Sequence, residues 1–198
     1  TLVAPVVGAD DDLSACVPEF LNARFNVVLL EVEGAGVQTD GQTAFGGVQQ
    51  GVILDGVFNH TGSNSRYFNA EGFYSELGAA QSKDSPYYHW FNFTHWPNRY
   101  DSWWGIHTLP AVNENHPDYR DFIITGKDSV VRHWLRAGAS GWRLDVADEL
   151  PDDFIADIRR VMEEENPDSF LLGEVWEDGT NKISYSRRRR YLLGSETH

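Results

Sequence analysis

The stretch Gly141-Trp-Arg-Leu-Asp-Val-Ala-Asp-Glu149 is a short apolar run that carries ionisable residues, which a strand with a purely structural role would not need. A second run of this kind, Leu171-Leu-Gly-Glu-Val-Trp176, follows a helix-like segment at residues 149–165. A strand, a helix and a strand within about 30 residues have the size of one βαβ unit. The two strands are therefore predicted to lie side by side and parallel.

Asp145 and Glu174 are predicted near the carboxyl ends of these neighbouring strands, where α/β proteins place their chemistry. Adjacent strands are about 4.8 Å apart, and the two carboxyl groups of a retaining glycosidase are about 5 to 5.5 Å apart. The spacing therefore permits an acid and nucleophile pair.

The neighbours of the two acids predict opposite protonation states. Arg143 lies two residues before Asp145, so the pleat points both side chains to one face, and a guanidinium there would keep Asp145 ionised. The apolar neighbours of Glu174 would raise its pKa and keep its proton. The alternative is that Arg143 and Asp145 form only a structural ion pair at a strand end.

Composition limits the class of protein. The chain has 198 residues, 41% of them hydrophobic, which is enough for one domain with its own core. Its formal net charge of −14 opposes nucleic acid and anionic membranes as partners. The single cysteine, Cys16, rules out an intrachain disulfide and favours a reducing compartment. We therefore expect a cytoplasmic protein, with a secreted mature form as the alternative.

The first part of the chain, residues 1–50, has the weakest pattern. Apolar residues from Leu13 to Leu21 predict a helix that breaks at Pro18. Residues 26–32 could form a strand, and the glycine-rich, polar residues 34–50 are predicted as loop.

The segment Gly51-Val-Ile-Leu-Asp-Gly-Val-Phe-Asn-His60 begins as a buried strand and ends in polar residues. Asp55, Asn59 and His60 are thus predicted at the same kind of strand end as the two acids. For His60 alone, a hydrogen-bonded structural role is the commoner alternative.

Residues 61–116 are rich in aromatic side chains and show no alternation of strands and helices. A structureless loop of this length is unusual inside a compact domain, so we predict an inserted subdomain with a small core of its own. Some of its rings would pack that core, and others could line a cleft.

Three further helices are predicted after this segment. Residues 116–137 keep apolar side chains at helical spacing, and Pro117 suits a first turn. Pro151 opens the next helix, which Asn166-Pro167 ends. Residues 183–193 are predicted as the last helix, and its basic run, Arg187–Arg190, as a solvated helix face or an interface.

Four stretches together resemble the signatures of the alpha-amylase family of glycoside hydrolases. Asp55 to His60 resembles the signature on the third barrel strand, Gly141 to Glu149 that on the fourth, and Gly173-Glu-Val-Trp176 that on the fifth. Leu109-Pro-Ala-Val-Asn113 is similar to the signature that follows the family's inserted domain. Within the family the likeness is to the neopullulanase, cyclomaltodextrinase and maltogenic amylase group. Glu149 closes the second signature in this sequence, and a glutamate does so in that group.

The resemblance implies roles for eight residues. Asp145 would be the nucleophile and Glu174 the general acid and base of retaining cleavage at α-1,4 and also α-1,6 glucosidic bonds. The resemblance implies substrate binding by the other six. His60 and Arg143 would hold the sugar at the scissile bond, and Asp55 and Asn59 would support the loop of the first signature. Glu149 and Trp176 would lie on the leaving-group side. It implies an α-glucan oligosaccharide as partner, allows a homodimer of the full-length protein, and requires no cofactor. Calcium occurs in the family, but we assign no residues to it.

The resemblance also implies a fold, a partial (β/α)8 TIM barrel of about strands 3 to 5 with flanking helices. Residues 51–60 and 117–198 would form the barrel part, and residues 61–116 the inserted subdomain. The family's fourth signature, whose aspartate is the third catalytic carboxylate, has no counterpart in the sequence. We therefore expect an incomplete site in a portion of the hydrolase. A silent sugar-binding module on the same scaffold is the alternative, and a metal-dependent hydrolase is disfavoured because no histidine pair has ligand spacing.

Overall fold

A computed structural model describes residues 27–32, 49–179, 181–184, 186–189 and 191. Its eight strands are β1 Val27–Val32, β2 Gln49–Gly56, β3 Phe93–His95, β4 Arg99–Tyr100, β5 Gly141–Leu144, β6 Phe170–Gly173, β7 Ile183–Ser184 and β8 Arg187–Arg188. Its three α-helices are α1 Pro117–Arg120, α2 Val130–Arg136 and α3 Asp152–Glu165. The helix predicted around Pro18 lies outside the described residues.

The main sheet has four strands in the order β1-β2-β5-β6. Strands β2, β5 and β6 are parallel, with Asp55 paired with Arg143 and Arg143 paired with Leu172. Strand β1 confirms the strand predicted at residues 26–32, and it runs antiparallel to β2. The parallel β5-α3-β6 unit confirms the predicted α/β class.

The alternation of side chains in β5 explains how the strand serves both a core and a site. Trp142 and Leu144 are fully buried on one face, while Arg143 points to the other. Gly141 is required at the start because a Cβ atom there would overlap the carbonyl group of Phe170 on β6. The two strands can therefore approach closely only with glycine at this position.

Helix α3 packs its apolar side into the same hydrophobic core as β5 and β6. Five of its apolar side chains are fully or almost fully buried at helical spacing, namely Phe154, Ile155, Ile158, Val161 and Met162. Asn166 ends the helix, as predicted. Ionic contacts join α3 to α2, because Arg132 and Arg136 both bind Glu165.

The prediction of a single helix at residues 116–137 is wrong. The chain forms α1, then a π-helical turn at Asp121–Thr125, and α2 starts only at Val130. Gly126 leaves the helix with ψ of 150°, and the Ser129 hydroxyl caps α2 by accepting from the Arg132 N–H. A glycine followed by a serine cap was a sequence signal for this break.

The helix predicted at residues 183–193 is also wrong, because β7 and β8 form a short antiparallel hairpin. Ser186 has a positive φ of 61° in its turn. The basic run is not a uniform solvated face either, since Arg189 is 2% exposed. Its guanidinium binds the Asp152 carboxylate and the carbonyl oxygens of Asp148 and Leu150.

Several rings of residues 61–116 join the same hydrophobic core as the sheet and helices. Phe68, Trp90 and Phe91 are buried, and Trp90 packs on Tyr119 of α1 with ring centroids 5.1 Å apart. A two-stranded sheet, β3-β4, lies within the segment. That the segment forms a separate subdomain stays a prediction. Among the described helices, none combines the length and apolar character needed to cross a membrane.

Candidate active site

The carboxyl ends of β2, β5 and β6 bring four charged residues together. Asp55 lies in β2, Arg143 and Asp145 lie in and just after β5, and Glu174 directly follows β6. Backbone hydrogen bonds extend the parallel ladder past the strand ends, since the Asp145 N–H donates to Gly56 and the Glu174 N–H donates to Leu144. The register of the sheet therefore fixes how these side chains face one another.

One guanidinium holds the three carboxylates in what we call the Arg143 cluster, formed by Asp55, Arg143, Asp145 and Glu174. Arg143 Nη1 lies 2.5 Å from Asp55 Oδ1 and 2.9 Å from Asp145 Oδ1, and Nη2 lies 2.9 Å from Glu174 Oε1. Asp145 and Glu174 thus point to the same side of the sheet and meet at one cation. The cluster is partly open to solvent, with the Arg143 side chain 21% exposed.

The predicted rise in the pKa of Glu174 is wrong, and Arg143 does not lower the pKa of Asp145 below its ordinary value. Burial raises the pKa of Asp145 above 3.8 and outweighs the opposing effect of Arg143. Burial would also raise the pKa of Glu174, but the Val146 N–H, Arg143 and further hydrogen bonds outweigh it and lower that pKa below 4.5. The predicted apolar setting of Glu174 is incomplete, because Leu172 is 39% and Trp176 58% exposed.

His60 and Asn59 follow β2 and are buried. The His60 ring stacks on Trp103 with centroids 4.9 Å apart and planes 15° apart. Its Nδ1 atom lies 3.4 Å from the Asn59 side-chain nitrogen. Burial lowers the pKa of His60 against the opposing charges of Asp145 and Glu149, so the neutral imidazole is favoured.

Beside the carboxylates lies what we call the indole cluster, formed by Trp103, Trp104, Glu149 and Trp176. Glu149 Oε2 accepts from Trp103 Nε1 at 2.8 Å, and Glu149 Oε1 accepts from Trp104 Nε1 at 2.9 Å. Trp104 meets Trp176 edge to face, with centroids 5.2 Å apart. Trp103 and Trp104 belong to the aromatic segment at residues 61–116, for whose individual rings no role was predicted, although the motif Ser102-Trp-Trp-Gly105 was a signal for one.

A cavity of about 730 Å³ opens next to the indole cluster, within the size range of small-molecule sites. Asp145 and Glu174 do not line it, but the residues that follow them do, including Val146, Glu149 and Trp176. Lys182 and Glu114 also form part of its lining. Burial, and secondarily the charge of Glu149, raise the pKa of Glu114 to about 7 against its own backbone hydrogen bond.

The wall that bears Lys182 is tied to the segment after β5. Lys182 Nζ lies 3.1 Å from Asp148 Oδ2 and also binds Glu177, while Arg189 binds Asp152. These contacts hold the β7-β8 hairpin beside the cavity. Within the described residues no group of three or more His, Cys, Asp or Glu side chains could hold a metal ion. The calcium expectation stays a prediction.

The structure brings all eight predicted site residues to one edge of the sheet. Asp55, Arg143, Asp145 and Glu174 form the charged part, His60 joins the two parts through Trp103, and Glu149 and Trp176 belong to the indole cluster. Asn59 borders both His60 and the cavity. The roles implied for these residues stay predictions.

Known proteins share this arrangement of elements. The family described as alpha amylase, catalytic domain, matches residues 48–193. An amylopullulanase from Thermoanaerobacterium saccharolyticum is 37% identical in an alignment 147 residues long, which covers 65% of this chain and 11% of that protein. A cyclomaltodextrinase from a Bacillus sp is 34% identical in an alignment 137 residues long, which covers 65% of this chain and 23% of that protein.

A solved structure gives the same picture for the fold. The debranching enzyme of Nostoc punctiforme aligns with a TM-score of 0.58 at 29% identity, over 73% of this chain and 28% of that one. The parallel strands described above fit a part of such a barrel enzyme. The chain spans less than a third of the length of each of these three proteins.

Proposed function

The chain belongs to the alpha-amylase family, and from this premise we propose that it carries part of the reaction centre of a retaining hydrolase of α-glucosidic bonds. The substrates would be α-glucans of the starch, pullulan and cyclodextrin type, linked α-1,4 and also α-1,6. The names of its relatives, an amylopullulanase and a cyclomaltodextrinase, support this substrate class.

One observation carries the proposal, namely that Asp145 and Glu174, from neighbouring parallel strands, meet at the guanidinium of Arg143. Retaining cleavage needs two carboxyl groups close enough to act on one glycosidic bond from opposite sides. A purely structural ion pair would explain Arg143 and Asp145, but it would not need a third and a fourth partner at the same strand ends.

The proposed reaction is a double displacement. Glu174 gives its proton to the leaving oxygen while Asp145 attacks the anomeric carbon, and a covalent glucosyl-enzyme forms. Glu174 then takes a proton from water or from an acceptor sugar, which attacks the same carbon and releases Asp145. Arg143 and His60 would position the sugar at the bond that breaks.

The lowered pKa of Glu174 adds a requirement to this mechanism. In the sugar-free site Arg143 and the Val146 N–H favour the ionised form of Glu174, and that form cannot donate a proton. Substrate binding would have to weaken the contact between Arg143 and Glu174. The proposal therefore predicts that the acid becomes competent only when the sugar is bound.

We further propose that full activity needs a third acidic residue, the aspartate of the fourth family signature. That signature has no counterpart in the sequence. Removal of one member of a cooperating catalytic set typically costs several orders of magnitude in rate. The rate of this chain alone should therefore be low.

The test is an assay of cyclodextrin and pullulan hydrolysis by the chain and by Asp145→Asn. We expect the variant to lose at least about a thousandfold of whatever rate the chain has, because the nucleophile is gone. Asp168→Asn, an exposed acid beyond α3, is the matched control and should leave the rate unchanged. Equal rates for the chain and Asp145→Asn would remove Asp145 from its role.

A second candidate function is a silent sugar-binding module, and the cavity beside two exposed indoles favours it. Calorimetric titration with maltotriose separates the two candidates. Binding without turnover, unchanged by Asp145→Asn and persisting even after a segment with the fourth family signature is supplied, would support the module and contradict the hydrolase.

A further inference from the structure

The residue that directly follows Asp145 has a strained backbone. Val146 lies in the left-handed region, with φ of 41° and ψ of 50°. That region is unfavourable for residues with a side chain, and most of all for one branched at Cβ, so it persists only where the surroundings impose it. Val146 is also buried, with 3% exposure, so the strain lies inside the packed part of the molecule. Contacts on both sides of Val146 must therefore hold it in place.

The left-handed turn changes where the backbone N–H groups point. In a regular strand, successive N–H groups point alternately to the two neighbouring strands. The Asp145 N–H donates to Gly56 on the β2 side, and the Val146 N–H points to the β6 side, as this alternation requires. The Ala147 N–H would then return to the β2 side, but it donates to the backbone oxygen of Glu174 at 2.9 Å. The turn thus aims two successive N–H groups at one residue.

Glu174 is therefore held at its backbone and at its side chain. The Val146 nitrogen lies 3.1 Å from Oε2, whereas Arg143 Nη2 lies 2.9 Å from Oε1. Asp145 and Trp176 also form hydrogen bonds with this carboxylate. Successive N–H groups at a turn of this kind favour an anion. A backbone N–H is fixed by its peptide plane, so it cannot swing away as a guanidinium on a flexible side chain can.

We propose that Val146 is a positioning residue for Glu174, and that its left-handed turn fixes the acid relative to Asp145. The contact with Oε2 should remain when a substrate displaces Arg143 from Oε1, so the carboxyl group keeps its place in both states. Val146 acts through Glu174 and not on the reacting atoms. This role rests on the proposed function for the identity of Glu174 as the acid, but its tests need no turnover.

The first experiment removes the Val146 N–H alone. Replacement of Val146 by its α-hydroxy acid puts an ester oxygen where the N–H was and keeps the side chain. We expect the pKa of Glu174, followed by NMR at its carboxyl carbon, to rise, because a hydrogen bond to the charged form is lost. An unchanged pKa would overturn the positioning role.

The matched control is the same replacement at Val112. This valine is similarly buried, with 5% exposure, and its nitrogen lies 3.0 Å from the backbone oxygen of Asn59. The control loses a backbone hydrogen bond of similar length without a contact to Glu174, so the pKa of Glu174 should stay as it is. An equal rise in both esters would show that a loosened fold, and not the turn, sets this pKa, which would contradict the proposal.

Val146→Gly separates the N–H from the side chain. Glycine adopts the left-handed conformation without steric cost and keeps the N–H, so the pKa of Glu174 should stay low in this variant. If it rises as far as in the Val146 ester, the valine side chain and not the N–H is responsible, and the positioning role is wrong.

A further measurement uses the unmodified backbone, so it also decides the case in which the ester prevents folding. The amide proton of Val146 should shift in the NMR spectrum at the pH where Glu174 titrates, because the two groups share a hydrogen bond. In Glu174→Gln that step should vanish, and only a step from the neighbouring Asp145 should remain. The same step in both proteins would contradict the proposal.

The outcomes separate this role from the proposed function. If neither the ester nor the amide proton shows a link between Val146 and Glu174, the positioning role is wrong, even where Asp145→Asn abolishes hydrolysis. If the link is found but Asp145→Asn hydrolyses as fast as the chain, Val146 still positions Glu174 and the hydrolase proposal fails.

Discussion

In both the Arg143 cluster and the indole cluster one charged group holds several side chains in place, but the charges of the two groups are opposite. In the first, one cation holds three carboxylates that arrive on three parallel strands. In the second, one anion, Glu149, holds two indoles that arrive on a segment without long strands or helices. The sheet register fixes the first arrangement before any side chain makes a contact, whereas the second depends on the contacts themselves.

This difference predicts which substitutions the two clusters should tolerate. Side chains at strand ends are positioned by the backbone ladder of the core, which opens only when much of the domain unfolds. Side chains on an irregular segment rely on individual polar contacts, which open with less free energy. We therefore expect changes near Glu149 to alter binding, and changes near Arg143 to alter both turnover and stability.

The largest effect should come from Arg143→Ala. Its removal leaves three carboxylates close together without their shared cation, so we expect turnover to fall at least about a thousandfold and the free energy of unfolding to fall by about 3 kcal/mol. Hydrolysis assays and urea unfolding measure the two losses. Arg160→Ala, a surface residue that also has two acidic partners, should cost less than about 1 kcal/mol. Equal costs for the two variants would show that the cluster adds nothing at the strand ends.

A smaller effect is expected from Arg189→Ala, which tests the wall that carries Lys182 beside the indole cluster. The change leaves Asp152 without its buried cation and the Leu150 carbonyl oxygen without its guanidinium donor. We expect about 2 kcal/mol of lost unfolding free energy and weaker maltohexaose binding, because the hairpin that carries part of the cavity loosens.

The comparison variant for the hairpin is Arg187→Ala. Arg187 is 63% exposed and contacts the same aspartate at 3.5 Å, so its loss should change stability by less than about 0.5 kcal/mol. If the two arginine variants behave alike, the buried position of Arg189 is not what holds the hairpin.

The smallest effect concerns the pH dependence of the Arg143 cluster. NMR titration of the carboxyl carbons should find the pKa of Glu174 below 4.5 and that of Asp145 above 3.8. The stabilising contribution of Glu174 is therefore present above about pH 4.5 and is lost as pH falls through its lowered folded value. That of Asp145 has the opposite sign, being present below pH 3.8 and lost as pH rises through the raised value. A Glu174 pKa above 4.5 together with an Asp145 pKa below 3.8 would restore the shifts expected from sequence and contradict the geometry.

The predictions from sequence were correct where the side chains follow a single repeat, either the alternation of a strand or the spacing of a helix. The alternation around Arg143 placed its side chain and that of Asp145 on one face, and the helix predicted between Pro151 and Asn166-Pro167 forms as α3. The parallel pairing of β5 with β6 then followed from the length of the connection, and it brought Glu174 to Asp145.

It failed where a contact distant in sequence decides. The break before α2 is local and could have been read from Gly126 and Ser129. The hairpin at Ile183–Arg188, in contrast, is accompanied by an ion pair between the buried Arg189 and Asp152, which are 37 residues apart in the sequence. The pKa of Glu174 was predicted from its sequence neighbours, whereas the Val146 N–H that lowers it lies 28 residues away in the sequence. Likewise nothing in the spacing of Trp103 and Trp104 shows that Glu149 would hold them.

The antiparallel pairing of β1 with β2 has a consequence for how this sheet can grow. Because β1 occupies the hydrogen-bonding groups along that side of β2, a further parallel strand cannot be added there. Among the described strands of the main sheet, β6 is the other border, and its Phe170 and Leu172 side chains are each 39% exposed. A further strand that continues the parallel part of this sheet, from its own polypeptide or from a foreign chain, can therefore be added only beside β6, the strand that Glu174 follows.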